Sequence, residues 1–149
     1  MGMRKSSEVE AIMKQAEAYC SQNGLRLTDG RAAVLREVVR QRRPVKAYDL
    51  LATVAPAKKK PMPPIVYRAL DFWTSHGFLH RIESLNAYTC CTHPGCGHEC
   101  QLFICSKCGR VSEFCNDKMC SQLFRNASGQ GFQIEHLKVE ATGICPDCA

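Results

Sequence analysis

Two Cys-x-x-Cys turns, Cys105-Ser106-Lys107-Cys108 and Cys145-Pro146-Asp147-Cys148, constrain this chain more than any other feature. A two-residue spacer lets both thiolates of a pair approach one metal ion from a single turn, and two such turns complete a tetrahedron. Gly109 relieves crowding where the backbone folds behind the first pair. Four thiolates close the coordination sphere, so the spacing predicts structural zinc with no open position for chemistry. The other use of such a motif, a redox dithiol, goes with a thioredoxin-like βαβ pattern that the flanking residues do not show.

The other cysteines are distributed in the same sense. The chain has 11, of which ten lie between Cys90 and Cys148 and only Cys20 lies earlier. The count is odd, and Met1-Gly2-Met3-Arg4-Lys5-Ser6 runs straight into an amphipathic stretch with no secretory segment. Reduced, metal-binding thiols in the cytoplasm are therefore expected, not a disulfide framework. The same six residues fit an N-myristoylation pattern, but no apolar run approaches the ~20 residues that span a bilayer. The net charge of +6 is compatible with a polyanionic partner, although charge of that size also serves solubility alone.

Lysine and arginine lean toward the first half as cysteine leans toward the second, which predicts two domains. The first half reads as helices. Val9, Ile12, Met13, Ala16, Tyr19 and Cys20 recur at helical spacing up to Asn23-Gly24. Thr28 caps a second helix with the stripe Val34, Leu35, Val38 and Val39. Ala47, Leu50, Leu51 and Val54 mark a third helix ending near Pro56, and Pro64 opens a fourth that Gly77 ends. On that fourth helix Val66, Ala69, Leu70 and Trp73 fall on one side, and Tyr67, Arg68, Asp71, Thr74 and Ser75 on the other. Strands at Phe78 to Ile82 and Tyr88 to Cys91 flank a turn from Glu83 to Asn86. Helices followed by a small hairpin make a winged helix.

In the second half, strands are expected at Gln101 to Cys105 and Arg110 to Phe114, then a helix carrying Met119, Leu123, Phe124 and Ala127. The alternation of Phe132, Ile134 and His136 predicts a last strand leading to Gly143. A second metal site is also expected, drawn from His80, Cys90, Cys91, His93, Cys96, His98, Cys100 and Glu113. Imidazole, thiolate and carboxylate together suit Zn²⁺ better than Mg²⁺ or Ca²⁺. Spacing alone does not say which of them bind.

Several of these segments together resemble one family. Gly24-Leu25-Arg26-Leu27-Thr28-x-x-Arg31, Ala47-Tyr48-Asp49-Leu50-Leu51 and Pro63-Pro64-Ile65-Val66-Tyr67-Arg68-Ala69-Leu70-Asp71-Phe72 are similar to the DNA-binding domain of ferric uptake regulators. Gly77-Phe78-Leu79-His80-Arg81-Ile82-Glu83-Ser84 with Asn86 and Tyr88 resembles that family's wing. Phe103-Ile104-Cys105, Cys108-Gly109, Gly131-Phe132 and Ile134 through Cys148 resemble its dimerisation domain. The chain looks most similar to the zinc uptake branch.

The resemblance implies an α+β architecture with three parts. A winged-helix DNA-binding domain at 1–88 is followed by a hinge loop at 89–100 and a small α/β dimerisation and metal-binding domain at 101–149. It implies structural zinc on Cys105, Cys108, Cys145 and Cys148, and regulatory zinc on His80, Cys91, His98 and Glu113, two ions per subunit. By its distance from Tyr88, Cys91 matches better than Cys90. Adjacent strand residues face opposite ways, so one of the two is expected to bind. Cys96 or Cys100 as the thiolate donor is the competing assignment, and His136 matches a family position without evident partners. The loop Thr92 to His98 departs from the histidine-rich loop often found in the family, so a third site is not assigned.

Tyr67 and Arg68 are the expected base-reading pair, since Arg reaches guanine O6 and N7 in the major groove. Arg31, Tyr48 and the run Lys58 to Lys60 are candidate phosphate contacts. The implied function is a zinc-responsive repressor of zinc uptake genes, a homodimer on an operator in double-stranded DNA. No enzymatic activity, membrane partner or small-molecule substrate is expected. The competing readings are an iron or peroxide sensor on the same scaffold, or a zinc-stabilised interaction module that does not read DNA.

Overall fold

The computed structural model describes residues 2–54, 63–94 and 99–149. The chain divides into two compact units, Met1–Gly95 and Cys96–Ala149. The first unit contains α1 (Ser6–Gln22), α2 (Asp29–Arg40), α3 (Ala47–Thr53), α4 (Pro63–Ser75) and the hairpin β1 (Leu79–Ile82) and β2 (Ala87–Cys90). The second contains β3 (Gln101–Cys105), β4 (Val111–Phe114), α5 (Asp117–Gly129) and β5 (Val139–Gly143).

Helix starts follow from side chains that satisfy orphan amides. The Thr28 hydroxyl accepts from the Arg31 amide at 3.2 Å at the start of α2, and the Asn116 carbonyl does the same for Met119 at the start of α5. The fourth helix begins at Pro63, one residue before the position read from the pattern. Its two faces separate as the 3.6-residue period requires: Val66, Ala69, Leu70 and Trp73 are buried, while Tyr67 and Arg68 are exposed.

Val34, Leu35, Val38 and Val39 of α2 and Met13 and Ala16 of α1 join that buried face in one core, closed by Phe78 and Leu79 of the wing. Trp73 is fully buried, and its indole Nε1 donates to the Arg31 carbonyl at 2.8 Å. Burial of a large aromatic with its polar atom satisfied locks α4 onto α2. The wing is joined to the helices by a reciprocal pair of backbone bonds between Val45 and Tyr88, each 2.8 Å. Asn86 holds the turn with a left-handed φ of 47°, a conformation Asn tolerates better than most residues.

In the second unit β3 is central, antiparallel to β4 and parallel to β5, with α5 in the crossover. One expectation fails here: Phe132 to His136 is not a strand. The paired segment is Val139–Gly143, matched residue for residue with Gln101 to Cys105. Phe132 and His136 lie on the surface, so their alternation does not reflect a buried face. The strand forms where its pairing places Gly143 opposite Cys105, which brings the two Cys-x-x-Cys turns to the same sheet end.

Replacing Trp73 with Ala should lower the stability of the helical unit by about 3–5 kcal/mol, the usual cost of an emptied aromatic site. Urea unfolding followed by circular dichroism checks this. A loss below about 1 kcal/mol, typical of a surface position, would contradict the packing described.

Candidate metal centre and nucleic-acid interface

The Cys105, Cys108, Cys145 and Cys148 sulfurs lie within 4.8 Å of one another. Two backbone devices assemble them. Ser106 donates from its amide to the Gly143 carbonyl at 2.8 Å, prolonging the β3–β5 pairing past the strand end. Gly109, at φ 73°, donates to the Cys105 carbonyl at 2.9 Å and turns the chain back behind the first pair. The second pair is closed by amides of Cys148 and Ala149 on the Cys145 carbonyl. Lys107 Nζ donates to the Cys148 carbonyl at 3.2 Å, and Arg110 pairs with Asp147 at 2.5 Å. Both contacts join the first turn to the second, but they are exposed and add little stability.

The sulfur positions fit zinc. A tetrahedron with metal–sulfur bonds of ~2.3 Å has edges of about 3.8 Å, and Cys108 Sγ stands 3.7 Å from Cys145 Sγ. The protonation pattern fits as well. Backbone amides, chiefly of Cys108 and Cys145, hold the Cys105 thiol down at about 6. The neighbouring thiols of Cys145 and Cys108 push Cys148 up to about 12. Four crowded thiols do not ionise together without a cation to offset the charge, and a bound zinc ion would supply that charge.

The remaining predicted ligands fall in both units. His80 is half-buried within β1 and Cys91 is buried just after β2. The antiparallel register pairs His80 with Thr89 and Leu79 with Cys90, and the Cys91 amide extends the ladder by donating to the Phe78 carbonyl at 2.9 Å. Cross-strand partners share a face and neighbours alternate. Cys91 therefore stands on the His80 face, and Cys90 on the opposite face with Leu79, inside the helical core. Glu113 is half-buried in β4, opposite Leu102, and its carboxylate reaches the Cys100 thiol. Burial, the Cys115 thiol and that carboxylate push the Cys100 thiol up. His98 and Cys96 lie outside the described residues, and His136 is exposed.

One sulfur contact was missed from sequence: Cys100 and Cys115 approach to 2.9 Å. Hairpin register was the available signal, because the two flank paired strands at equal distances from the turn.

Among the DNA candidates, Tyr67 and Arg68 project from the exposed face of α4, and Tyr48 is 79% exposed. Tyr48, Tyr67, Lys46 and Arg81 line one cleft of about 240 Å³, with Asp71 on its wall. Arg31 has structural contacts of its own: its guanidinium lies 3.9 Å from the Phe72 ring centroid and donates to the Arg26 carbonyl. Lys58 to Lys60 lie outside the described residues.

A model of the ferric uptake regulator family matches residues 22–142. The chain belongs to that family. It is 39% identical to the zinc uptake regulation protein of Escherichia coli (strain K12), over 98% of this chain and 85% of that protein. Among solved structures, it matches a zinc uptake regulator complexed with zinc and DNA at 37% identity and a TM-score of 0.87, covering 97% and 96% of the two chains. The holo form of XcZur matches at 41% identity and a TM-score of 0.86, over 93% and 96%. A ferric uptake regulator of Synechocystis is 26% identical over 55% of this chain and 50% of its own length. Likeness within the family is thus longer and stronger toward the zinc regulators.

Replacing Cys105 with Ser removes one of four candidate thiolate ligands and should abolish zinc binding at this cluster. Metal binding is coupled to folding, so the second unit should lose most of its stability with the metal. Metal analysis with thermal unfolding checks both. Undiminished zinc in a stable variant would contradict the cluster.

Proposed function

We propose that this chain is a zinc-responsive transcriptional repressor of zinc uptake genes, acting in the cytoplasm as a homodimer with two zinc ions per subunit. The observation that carries this reading is near full-length likeness to zinc uptake regulators, one of them complexed with zinc and DNA. The described residues include no helix long and apolar enough to cross a membrane.

Structural zinc sits on the four cysteines of the second unit. Regulatory zinc sits on His80, Cys91, His98 and Glu113, from segments on both sides of the chain's division. The shared ladder face of His80 and Cys91 supports this set, and the core placement of Cys90 argues against Cys90 as the ligand. A thiolate donor favours zinc over iron. Zinc there offsets the negative charge of Cys91 and Glu113 and ties their segments together.

The second unit supplies the dimer surface. Phe103 and Phe114 stack with centroids 4.7 Å apart, yet both are about half exposed. Ile144, also exposed, lines the adjoining groove with them. A monomer rarely leaves such a patch uncovered. Two recognition helices, one α4 from each subunit, then enter successive major grooves, and half-sites lie about one DNA turn apart. Arg68 reads a base, Tyr67 contacts a base or phosphate, and Tyr48 and Arg31 contact phosphates. Restraining the hinge selects the separation of the two α4 helices that DNA requires.

Two variants separate the roles. Arg68→Ala should cost about 1–3 kcal/mol on a specific operator and relax preference at one base pair. Equal weakening on all sequences would make Arg68 a phosphate contact.

Cys91→Ser should keep fold and dimer, lose one zinc per subunit and lose zinc-dependent operator binding, while Cys90→Ser changes little. Zinc content, sedimentation and operator titration check this. Retention of zinc and binding by Cys91→Ser, with their loss in Cys96→Ser or Cys100→Ser, would overturn the ligand set.

A further inference from the structure

Outside the four-cysteine cluster, Cys100 and Cys115 form a second close thiol pair, with sulfurs 2.9 Å apart. The pair is built into the sheet. Gln101 of β3 pairs with Phe114 of β4, so the next rung of the antiparallel ladder sets Cys100 opposite Cys115. Residues directly opposite hold their Cβ atoms about 4.5–5.5 Å apart. A disulfide needs about 3.5–4.5 Å, a small adjustment at a strand end.

The rung is held in place by Gln101, a buried polar side chain at 3% exposure. Its Oε1 accepts from the Asn116 amide at 3.0 Å, and its Nε2 donates to the Glu99 carbonyl at 3.2 Å. One side chain thus straps the residue before Cys100 to the residue after Cys115. Cys115 is exposed and Cys100 is half-buried, so an oxidant in solution meets Cys115 first.

We propose that Cys100 and Cys115 are a reversible oxidation site, closed to an intrachain disulfide by hydroperoxides and reopened by thiols. Peroxide oxidises Cys115 to a sulfenic acid and is itself reduced to water. The Cys100 sulfur then attacks the Cys115 sulfur, forming the S–S bond and expelling a second water that carries off the remaining proton. Two thiols are consumed per peroxide, and the four-cysteine cluster takes no part.

The crosslink closes around Glu113, whose carboxylate reaches Cys100 and which stands two residues before Cys115. It also tethers the strand that follows His98. Resting on the zinc assignment above, closure shifts the Glu113 ligand position and makes the zinc response sensitive to peroxide.

The test uses the full-length, zinc-loaded protein exposed to hydrogen peroxide, with thiols blocked at intervals and crosslinked peptides mapped by mass spectrometry. The expected result is a Cys100–Cys115 link that dithiothreitol reverses, formed while Cys105, Cys108, Cys145 and Cys148 retain zinc. Cys115→Ser should abolish the link. The crosslinked protein should bind operator on the order of tenfold more weakly, within the usual range of such couplings. Earlier loss of the four cluster thiols, or oxidation of Cys115 to sulfinic acid with no link, would overturn the proposal. An unchanged operator affinity after crosslinking would overturn its regulatory part. A reduced control without zinc-dependent operator binding would instead fail the functional reading, leaving the crosslink map to decide the oxidation site.

Discussion

The parallel pairing of β3 with β5 is the constraint on which the second unit depends. Cys105 and Cys145 are far apart in the chain, and the two turns meet only because the crossover through α5 returns β5 beside β3 with Gly143 opposite Cys105. That unit has little else to hold it. Among its described residues, Gln101, Leu102, Ile104, Cys105 and Cys120 are buried, while Phe103, Phe114, Phe124, Phe132 and Ile144 are exposed in the single chain. A unit with so few buried residues gains little stability from its core, and small domains of this kind commonly add metal or a partner subunit. The proposed function uses both: zinc on the four thiolates, and an apolar face covered by a second copy.

The helical unit is built on different physics. Its core runs continuously through α1, α2, α4 and the wing, and it needs no metal to close. The exposed face of α4 is consequently free to carry recognition, because packing already fixes the opposite face through Trp73, Leu70 and Val66. Arg31 illustrates how the two tasks meet at one residue. Its carbonyl accepts from Trp73 and its guanidinium stacks on Phe72, so any phosphate contact it makes starts from a side chain already oriented.

What was legible in the sequence was what depends on local period and spacing. The stripes of α1 to α4, the Thr28 cap and each of the two Cys-x-x-Cys turns follow from residues within a turn or two of one another. The last strand was misread because period-two alternation reports burial on one face, and β5 buries little in the single chain. Its Ala141, Thr142 and Gly143 are exposed, and its position follows from pairing with β3, a long-range fact. The Cys100–Cys115 contact is a different case: composition does not show it, but the register of the local β3–β4 hairpin does.

In the proposed function, zinc and operator DNA favour the same state of the protein. Linkage then demands that DNA tighten zinc by the factor by which zinc tightens DNA. The direct measurement is a chelator-competition titration of the regulatory zinc at fixed salt, with and without operator, on protein whose four-cysteine site stays filled. Zinc should bind more tightly in the presence of operator, by the same factor as the zinc-induced gain in operator affinity. An unchanged zinc affinity on operator would contradict it.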